Sequence, residues 1–245
     1  MNPSIAGATA VRVLRQLRRD HRTVALILVV PTLLVTLVWW MFLDRGATFD
    51  RIGVPLVGIF PLVSMFLVTS ITMLRERTSG TLERLMTTPL ARLDLLLGYA
   101  GAFGLMAALQ GGLVAAVAVG LLGLDVAGSV ALVVALAVAN ALLGMALGLF
   151  VSAFAATEFQ AVQFMPALVL PQLLLCGLFL PRGDLTRPLE LLSAVLPMSY
   201  AYDALEHVAG SGTVDGALAL DIAVVLGVAL LSLALGAATM RRRTA

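Results

Sequence analysis

The sequence contains no lysine, a single cysteine, two histidines and few charged residues of any kind. Without lysine, the chain cannot carry the P-loop motif that binds the phosphates of ATP. The lone Cys176 cannot form an internal disulfide. His21 and His207 lack the H-E-x-x-H spacing of zinc peptidases. No Cys/His cluster is available for a metal or haem, so the sequence predicts no enzyme, with no catalytic, cofactor or metal site in this chain.

The scarcity of charge places the chain among membrane proteins. Only 12% of residues are charged and 60% are hydrophobic, whereas a soluble domain carries roughly 25% charged residues. The apolar residues form six uncharged windows, each long enough for one membrane crossing. These are Val24–Leu43, Ile52–Leu74, Leu95–Leu124, Val126–Thr157, Phe159–Pro181 and Ile222–Met240. Because a helix satisfies its own backbone in lipid, we expect a single all-α integral membrane domain over residues 1–245 with six transmembrane helices.

All 16 basic residues are arginine, and they bracket the apolar windows rather than forming a patch for nucleic acid. With the N-terminus in the cytoplasm, 12 arginines lie inside and 4 outside. The positive-inside rule selects this orientation, with both termini cytoplasmic. The Ala-, Leu-, Val-, Gly- and Arg-rich composition is typical of GC-rich coding, so we expect a multi-pass protein of a bacterial inner (cytoplasmic) membrane.

Residues 4–22, before the first window, have the pattern of an amphipathic helix. Ala6, Ala10 and Leu17 lie on the apolar side of a helical wheel. The basic side consists of Arg12, Arg15, Arg18, Arg19 and Arg22. This pattern predicts a helix lying on the cytoplasmic surface of the bilayer. The alternative is an ordinary positive-inside anchor without a partner.

The densest polar region, residues 75–94, is predicted to be a cytoplasmic loop. Gly80 can break the helix that continues from the second window, and Thr88 with Pro89 is a good start for the third. Between them lies a short amphipathic helix that could dock on a partner. The short helix is Thr81–Met86, and the candidate docking residues are Gly80, Thr81, Leu82, Glu83, Arg84, Leu85 and Met86. The alternative is a solvated loop.

A second polar segment, residues 182–221, is predicted to be external. It contains two amphipathic stretches, Leu189–Leu196 and Met198–Val208, separated by Pro197. Neither stretch is long enough to cross a bilayer. We expect short helices that dip into the outer leaflet or cap a cavity, with a packed external loop as the alternative.

Inside the windows, the polar residues are neutral. Ion-coupled transport usually requires ionisable residues within the spans, so their absence argues against a proton-driven mechanism. The candidates for a substrate path are Gln110, Asn140, Gln163 and Gln172. Gly144 and Gly148 have the GxxxG spacing that permits close helix contact, either within one subunit or between two copies.

Three stretches together resemble a known family. They are Arg75–Pro89 followed by Leu90-Ala91-Arg92, Glu158–Pro166, and Pro181–Tyr200, which ends in Leu-Pro-Met-Ser-Tyr. Over nearly its whole length the chain resembles the ABC-2-type export permeases, the membrane half of bacterial ABC exporters of the daunorubicin-resistance kind.

The resemblance implies an assembly. Residues 4–22 would be the connecting helix, Thr81–Met86 the coupling helix in a groove of the ATPase subunit, and the two external helices a re-entrant pair. One copy would be half a pore, so two permeases, expected as a homodimer, would work with two separate ABC ATPase chains. ATP and Mg would be bound by those partner chains and not by this one.

We therefore expect an exporter subunit that moves an amphipathic or hydrophobic, drug- or antibiotic-like molecule out of the cell. Only 3 Tyr and 2 Trp are present, and sugar export tends to need aromatic stacking surfaces. Export of a lipid, glycolipid or polysaccharide is one alternative. A membrane scaffold that transports nothing is another, and an intramembrane enzyme is disfavoured by the missing catalytic residues.

The arginine distribution leads to a topology prediction. In a background with Cys176 replaced, a membrane-impermeant thiol reagent added outside the cell should modify Ser211→Cys and spare Ser79→Cys. The reason is that residues 182–221 are expected outside and residues 75–94 inside. Labelling of Ser79→Cys with protection of Ser211→Cys would reverse the orientation.

Overall fold

The computed structural model describes residues 3–79, 92–211 and 213–239, and the regular structure of these residues is helical. A first helix, α1 (Pro3–Arg19), precedes α2 (His21–Met41) and α3 (Gly46–Thr78). The others are α4 (Arg92–Gly120), α5 (Val130–Val151), α6 (Glu158–Leu175), α7 (Arg187–Ser193), α8 (Pro197–Gly210) and α9 (Gly216–Thr239), with a 3₁₀ turn at Arg182–Asp184.

The long helices alternate in direction, so the bundle has two distinct ends. Glu158 at the start of α6 pairs with Arg75 near the end of α3. Gly236, near the end of α9, lies beside Phe150 near the end of α5. We call this the arginine end, where α1 also packs. At the opposite, hairpin end, α7 and α8 lie between the end of α6 and the start of α9.

Five of the described helices, namely α2, α3, α4, α5 and α9, are long and apolar enough to cross a membrane. The chain is therefore a multi-pass helical membrane protein. The fifth uncharged window forms α6, which has only 18 residues and contains Pro166 and Pro171. It does not count among the five, so the six-span total stays a prediction.

The centre of the bundle is the contact between α3 and α5, where glycine lets the backbones approach. A Cβ atom placed on Gly144 would lie within 3.0 Å of the backbone of Leu62, and one on Gly148 within 3.0 Å of Phe66 and Thr69. Both glycines therefore pack inside one chain. Of the two interpretations of the GxxxG spacing, the structure selects packing within the subunit.

A glycine also lets α8 approach this pair at the hairpin end. A Cβ atom on Gly58 of α3 would collide with Asn140 of α5 and Leu205 of α8. At the arginine end, a Cβ atom on Gly98 of α4 would collide with Thr9 of α1. The small residues thus set how closely α1 and α8 pack against the long helices.

The predicted surface helix over residues 4–22 is shorter than expected. α1 ends at Arg19, and Asp20 caps the next helix. The Asp20 carboxylate accepts one hydrogen bond from the backbone N–H of Thr23 at 3.1 Å and another from the Thr23 hydroxyl at 2.6 Å. These bonds hold the pKa of Asp20 below its ordinary value. Arg22 therefore belongs to α2, because a side-chain cap satisfies the free N–H groups of a new helix start.

The two helices predicted after the fifth window are present with shifted boundaries. The predicted stretch Leu189–Leu196 corresponds to α7, and Met198–Val208 corresponds to α8. Pro188 and Pro197 each stand at the start of their helix, where proline loses no hydrogen bond. Whether this pair enters the membrane from outside stays a prediction.

Gly144→Ala tests the α3–α5 contact. We expect it to destabilise the purified protein by about 1–3 kcal/mol, because the added methyl group must displace the backbone of α3. The measurement is the thermal midpoint in detergent. The control is Gly227→Ala in α9, where a Cβ atom meets nothing within 4 Å and alanine favours the helix by roughly 1 kcal/mol. Equal midpoints for the two variants would contradict the packing.

Candidate functional site: the polar cluster at the arginine end

The predicted coupling segment Gly80–Met86 lies outside the described residues. On the α3 side, the described chain reaches Ser79. α3 ends at Thr78, and the backbone N–H of Ser79 donates to the carbonyl of Arg75. The last turns of α3 therefore connect this segment to the bundle on one side, and α4, which begins at Arg92, connects it on the other.

A buried ionic cluster joins α1 to these last turns. Arg12 of α1 lies 3.7 Å from the carboxylate of Glu76, measured from Nη2 to Oε2, and Gln16 donates to Oε1 of the same residue at 3.4 Å. Arg12 also donates to the hydroxyl of Tyr99 in α4 and lies over its ring at 5.7 Å from the centroid. Since Glu76 is only 8% exposed, removal of its charge would leave Arg12 without a counter-ion in an apolar setting.

A second ion pair joins α3 to α6 on the surface. Arg75 donates to both carboxylate oxygens of Glu158, from Nε at 2.8 Å and from Nη2 at 2.9 Å. Both side chains are more than half exposed, so the pair contributes about 0–1 kcal/mol to stability. Its two parallel bonds favour one orientation of α6 relative to α3 without holding it rigidly.

Between α1 and the end of α3 lies an open groove. Its walls are Val13, Leu17, Thr72 and Glu76, and its rim carries Asp20 and Arg75. The groove also reaches Ser79, the last described residue before the predicted coupling segment. A shallow polar groove with an apolar wall suits contact with another polypeptide better than binding of a small apolar ligand.

The five arginines of the predicted membrane-surface face do not all behave alike. The structure places Arg15, Arg18, Arg19 and Arg22 on the exposed surface, whereas Arg12 points to Glu76 and Tyr99. Arg12 thus forms an ion pair within the chain, and its contact with lipid headgroups stays a prediction. The wheel pattern could not reveal this, because the partner lies 64 residues away in the sequence.

Three of the four residues suggested for a substrate path form hydrogen bonds between helices. Gln110 donates to the carbonyl of Ile27 at 2.8 Å, and Asn140 donates to that of Ala201 at 3.5 Å. Gln172 accepts from the N–H of Met198 at 3.4 Å. All three are buried.

Gln163, the fourth of these residues, is exposed on α6. The structure thus does not bring the four residues together around one cavity in a single chain. Their role in a substrate path stays a prediction.

At the hairpin end, a different set of charges joins the short helices to the turn after α6. Arg182 forms an ion pair with Asp203 of α8 and lies 5.7 Å from the ring centroid of Tyr200. Burial raises the pKa of Asp203, and the Arg182 guanidinium opposes that rise. His207 lies 3.7 Å from Asp215. Throughout the described part of the chain, no group of three His, Cys, Asp or Glu side chains is arranged to hold a metal ion.

Comparison with known proteins gives a consistent match. The sequence model described as "ABC-2 type transporter" matches residues 7–208, from α1 to α8. The chain is 27% identical over 153 residues to "Probable multidrug ABC transporter permease YbhR" of Escherichia coli K12, which is 62% of this chain and 42% of that protein. It is 24% identical over 188 residues to "Probable multidrug ABC transporter permease YbhS", covering 76% and 50%.

A eukaryotic relative shows the same kind of match. "ABC transporter G family member 20" of Dictyostelium discoideum is 23% identical over 159 residues, covering 65% of this chain and 22% of that protein. In these matches, the chain spans half or less of the length of its relatives.

The two ion pairs of the arginine end should differ in their contribution to stability. We expect Glu76→Gln to destabilise the protein by about 1–3 kcal/mol, because it leaves the half-buried Arg12 without an anion. Glu158→Gln removes an exposed pair and should cost less than about 1 kcal/mol. Thermal midpoints of the two variants in the same detergent measure the difference. A larger loss for Glu158→Gln would show that the buried cluster does not hold α1.

Proposed function

The chain belongs to the ABC-2 type transporter family, and we propose that it is the permease subunit of an ATP-driven exporter that moves amphipathic or hydrophobic small molecules out of the cell. The observation that carries this proposal is the family match, which extends over residues 7–208 and thus includes both α1 and the α7–α8 pair. ATP and Mg would be bound by separate ATPase chains, in keeping with the absence of lysine in this one.

The alternation of the helices supports a six-span topology. α5 runs to the arginine end and α9 starts at the hairpin end, so the chain must pass from one end to the other between Val151 and Gly216. α6 is the element that makes this passage. Its 18 residues extend about 27 Å at 1.5 Å per residue, close to the hydrocarbon thickness of about 30 Å. We propose that α6 is the sixth crossing.

With six crossings, both ends of the chain lie on the same side. The arginine distribution supports a cytoplasmic arginine end in a bacterial inner membrane. The exposed Arg15, Arg18, Arg19 and Arg22 would then meet the anionic headgroups of the inner leaflet. The segment 182–221, with α7 and α8, would lie at the outer face as a re-entrant pair.

The coupling mechanism starts at the segment Thr81–Met86. In the predicted helix, Leu82, Leu85 and Met86 would form an apolar side that buries in a groove of the ATPase, as an amphipathic helix does. Motion of this helix would reach the bundle through the last turns of α3. There Glu76 and Arg75 link it to α1 and α6 respectively, so three helices would respond together.

The substrate path would form between two permease copies. Within one chain, Gln110, Asn140 and Gln172 are already engaged in hydrogen bonds between or along helices. α2 and α6 both pack on α3 and leave large apolar side chains exposed, among them Leu33 and Leu174. A second copy facing these helices would enclose an apolar path suited to amphipathic molecules. The curated names of the E. coli relatives, which include the word multidrug, support the same substrate class.

A lipid or glycolipid substrate is the second candidate, because the same exposed faces are open to the bilayer. The two can be separated by measuring ATP-dependent export of a fluorescent amphiphile in the presence of an excess of candidate lipid. Competition by the lipid at low molar ratio would favour lipid export.

The coupling segment provides the direct test of the proposal. The wild-type permease should co-purify with an ABC ATPase in a ratio of two to two and should export a fluorescent amphiphile. Leu85→Asp should fold and insert normally but reduce ATPase association or efflux strongly, because it places a charge in an apolar docking surface at a cost of several kcal/mol. Glu83→Ala, at the rim, should change association by less than about 1 kcal/mol.

Pull-down and efflux at matched expression measure both effects. Normal association and efflux of Leu85→Asp would show that the segment is a solvated connection. Absence of any ATPase from the wild-type complex would favour a scaffold over a transporter.

A further inference from the structure

The helix α2 contains a proline in its middle, and this proline leaves a backbone carbonyl unpaired. Pro31 has no N–H, so the carbonyl of Ile27, four residues earlier, loses its helical hydrogen bond. Both residues are buried. In an apolar interior such a free carbonyl must find another donor.

The donor comes from another helix. Nε2 of Gln110 in α4 donates to the Ile27 carbonyl at 2.8 Å, and the Gln110 side chain is completely buried. Because a carbonyl oxygen can only accept a hydrogen bond, the Gln110 amide atom that faces it must be the nitrogen, Nε2. The other amide atom, Oε1, is buried without a hydrogen-bond donor in the described part of the chain.

The need of the Ile27 carbonyl for a donor does not by itself explain a glutamine at position 110. A leucine at position 110 would leave the Ile27 carbonyl unpaired but would remove the unpaired Oε1, so one buried acceptor lacks a donor in either case. What glutamine adds is a directional link between α4 and the middle of α2. The link lies where α2 is interrupted.

The same part of α2 has other features of a bendable helix. The hydroxyl of Thr32 donates to the backbone carbonyl of Leu28 at 2.7 Å, and the hydroxyl of Thr36 donates to the backbone carbonyl of Thr32 at 2.8 Å. Such bonds back to the preceding turn favour bending. α2 also has the smallest buried share of the five candidate spans, 17% against 67% for α3, so little packing resists a change in its direction.

We propose that Pro31 is a joint about which the hairpin-end half of α2, residues 32–41, tilts, and that Gln110 is a positioning residue that holds the joint in the state seen here. The use of this tilt in a transport cycle rests on the proposed function. The link between Gln110 and the Pro31 gap does not depend on it.

A double-mutant cycle on thermal midpoints tests the link. In the wild-type background, Gln110→Leu should leave the midpoint unchanged or lower it. In the Pro31→Ala background, residue 31 again donates to the Ile27 carbonyl, so Gln110→Leu only removes a buried amide and should raise the midpoint. We expect the two shifts to differ by at least about 3 °C. Equal shifts in the two backgrounds would overturn the link.

Spin-label distances test the tilt itself. In a Cys176→Ala background, labels at Leu37→Cys beyond the joint and Leu226→Cys in α9 occupy exposed positions. Gln110→Leu should broaden the distance distribution or add a second distance, and Pro31→Ala should narrow it. Val30→Ala, an exposed neighbour, should leave it unchanged. Identical distributions in all variants would overturn the joint.

Efflux separates this proposal from the proposed function. If the joint serves transport, Pro31→Ala should still associate with the ATPase, but its efflux rate should be several-fold lower than that of Val30→Ala. Normal efflux of Pro31→Ala would overturn that use of the joint. If the wild type binds no ATPase and exports nothing, the proposed function fails, whereas the midpoints and distances still decide the joint.

Discussion

The contact between the backbones of α3 and α5 is the constraint on which the rest of the bundle depends. Helices in lipid gain nothing from hiding apolar side chains from one another, so close packing of small residues takes over that role. Gly144 and Gly148 let the backbone of α5 approach that of α3 more closely than any larger side chain at these positions would permit. α3 then carries α8 at Gly58 and the charged cluster at Glu76, so both ends of the bundle are positioned from one helix.

Buried amides supply the second kind of connection. In an apolar interior an unpaired polar group is expensive, and Gln110, Asn140 and Gln172 each reach a backbone group of a neighbouring helix. Two of these links end on α8, and the third ends at the proline gap of α2. The buried amides thus hold α8 and the interrupted helix α2 in place against their neighbours.

The arginine end combines rigid and exposed contacts in a way that suits the proposed transmission of force. The cluster of half-buried Arg12 with buried Glu76 and Tyr99 ties α1, α3 and α4 together. The Arg75–Glu158 pair is exposed and can open at little cost. Under this proposal, a push on the end of α3 would move α1 through the buried carboxylate of Glu76 and would reach α6 through the weaker Arg75–Glu158 pair.

The sequence by itself determined the membrane class and the places of the long helices, because long uncharged runs and arginine spacing are local properties of the chain. The family was indicated by the resemblance of three stretches of sequence to known permeases. The sequence also predicted the two short helices before α9. Only the tertiary structure decided that Arg12 turns inward to Glu76 and that Gln110 serves the gap left by Pro31. Each of these two depends on a partner many residues away, and the pairing of distant residues follows from how the helices pack and not from any local pattern. The end of α1 at Arg19 is different, because the local cap of Asp20 on Thr23 accounts for it.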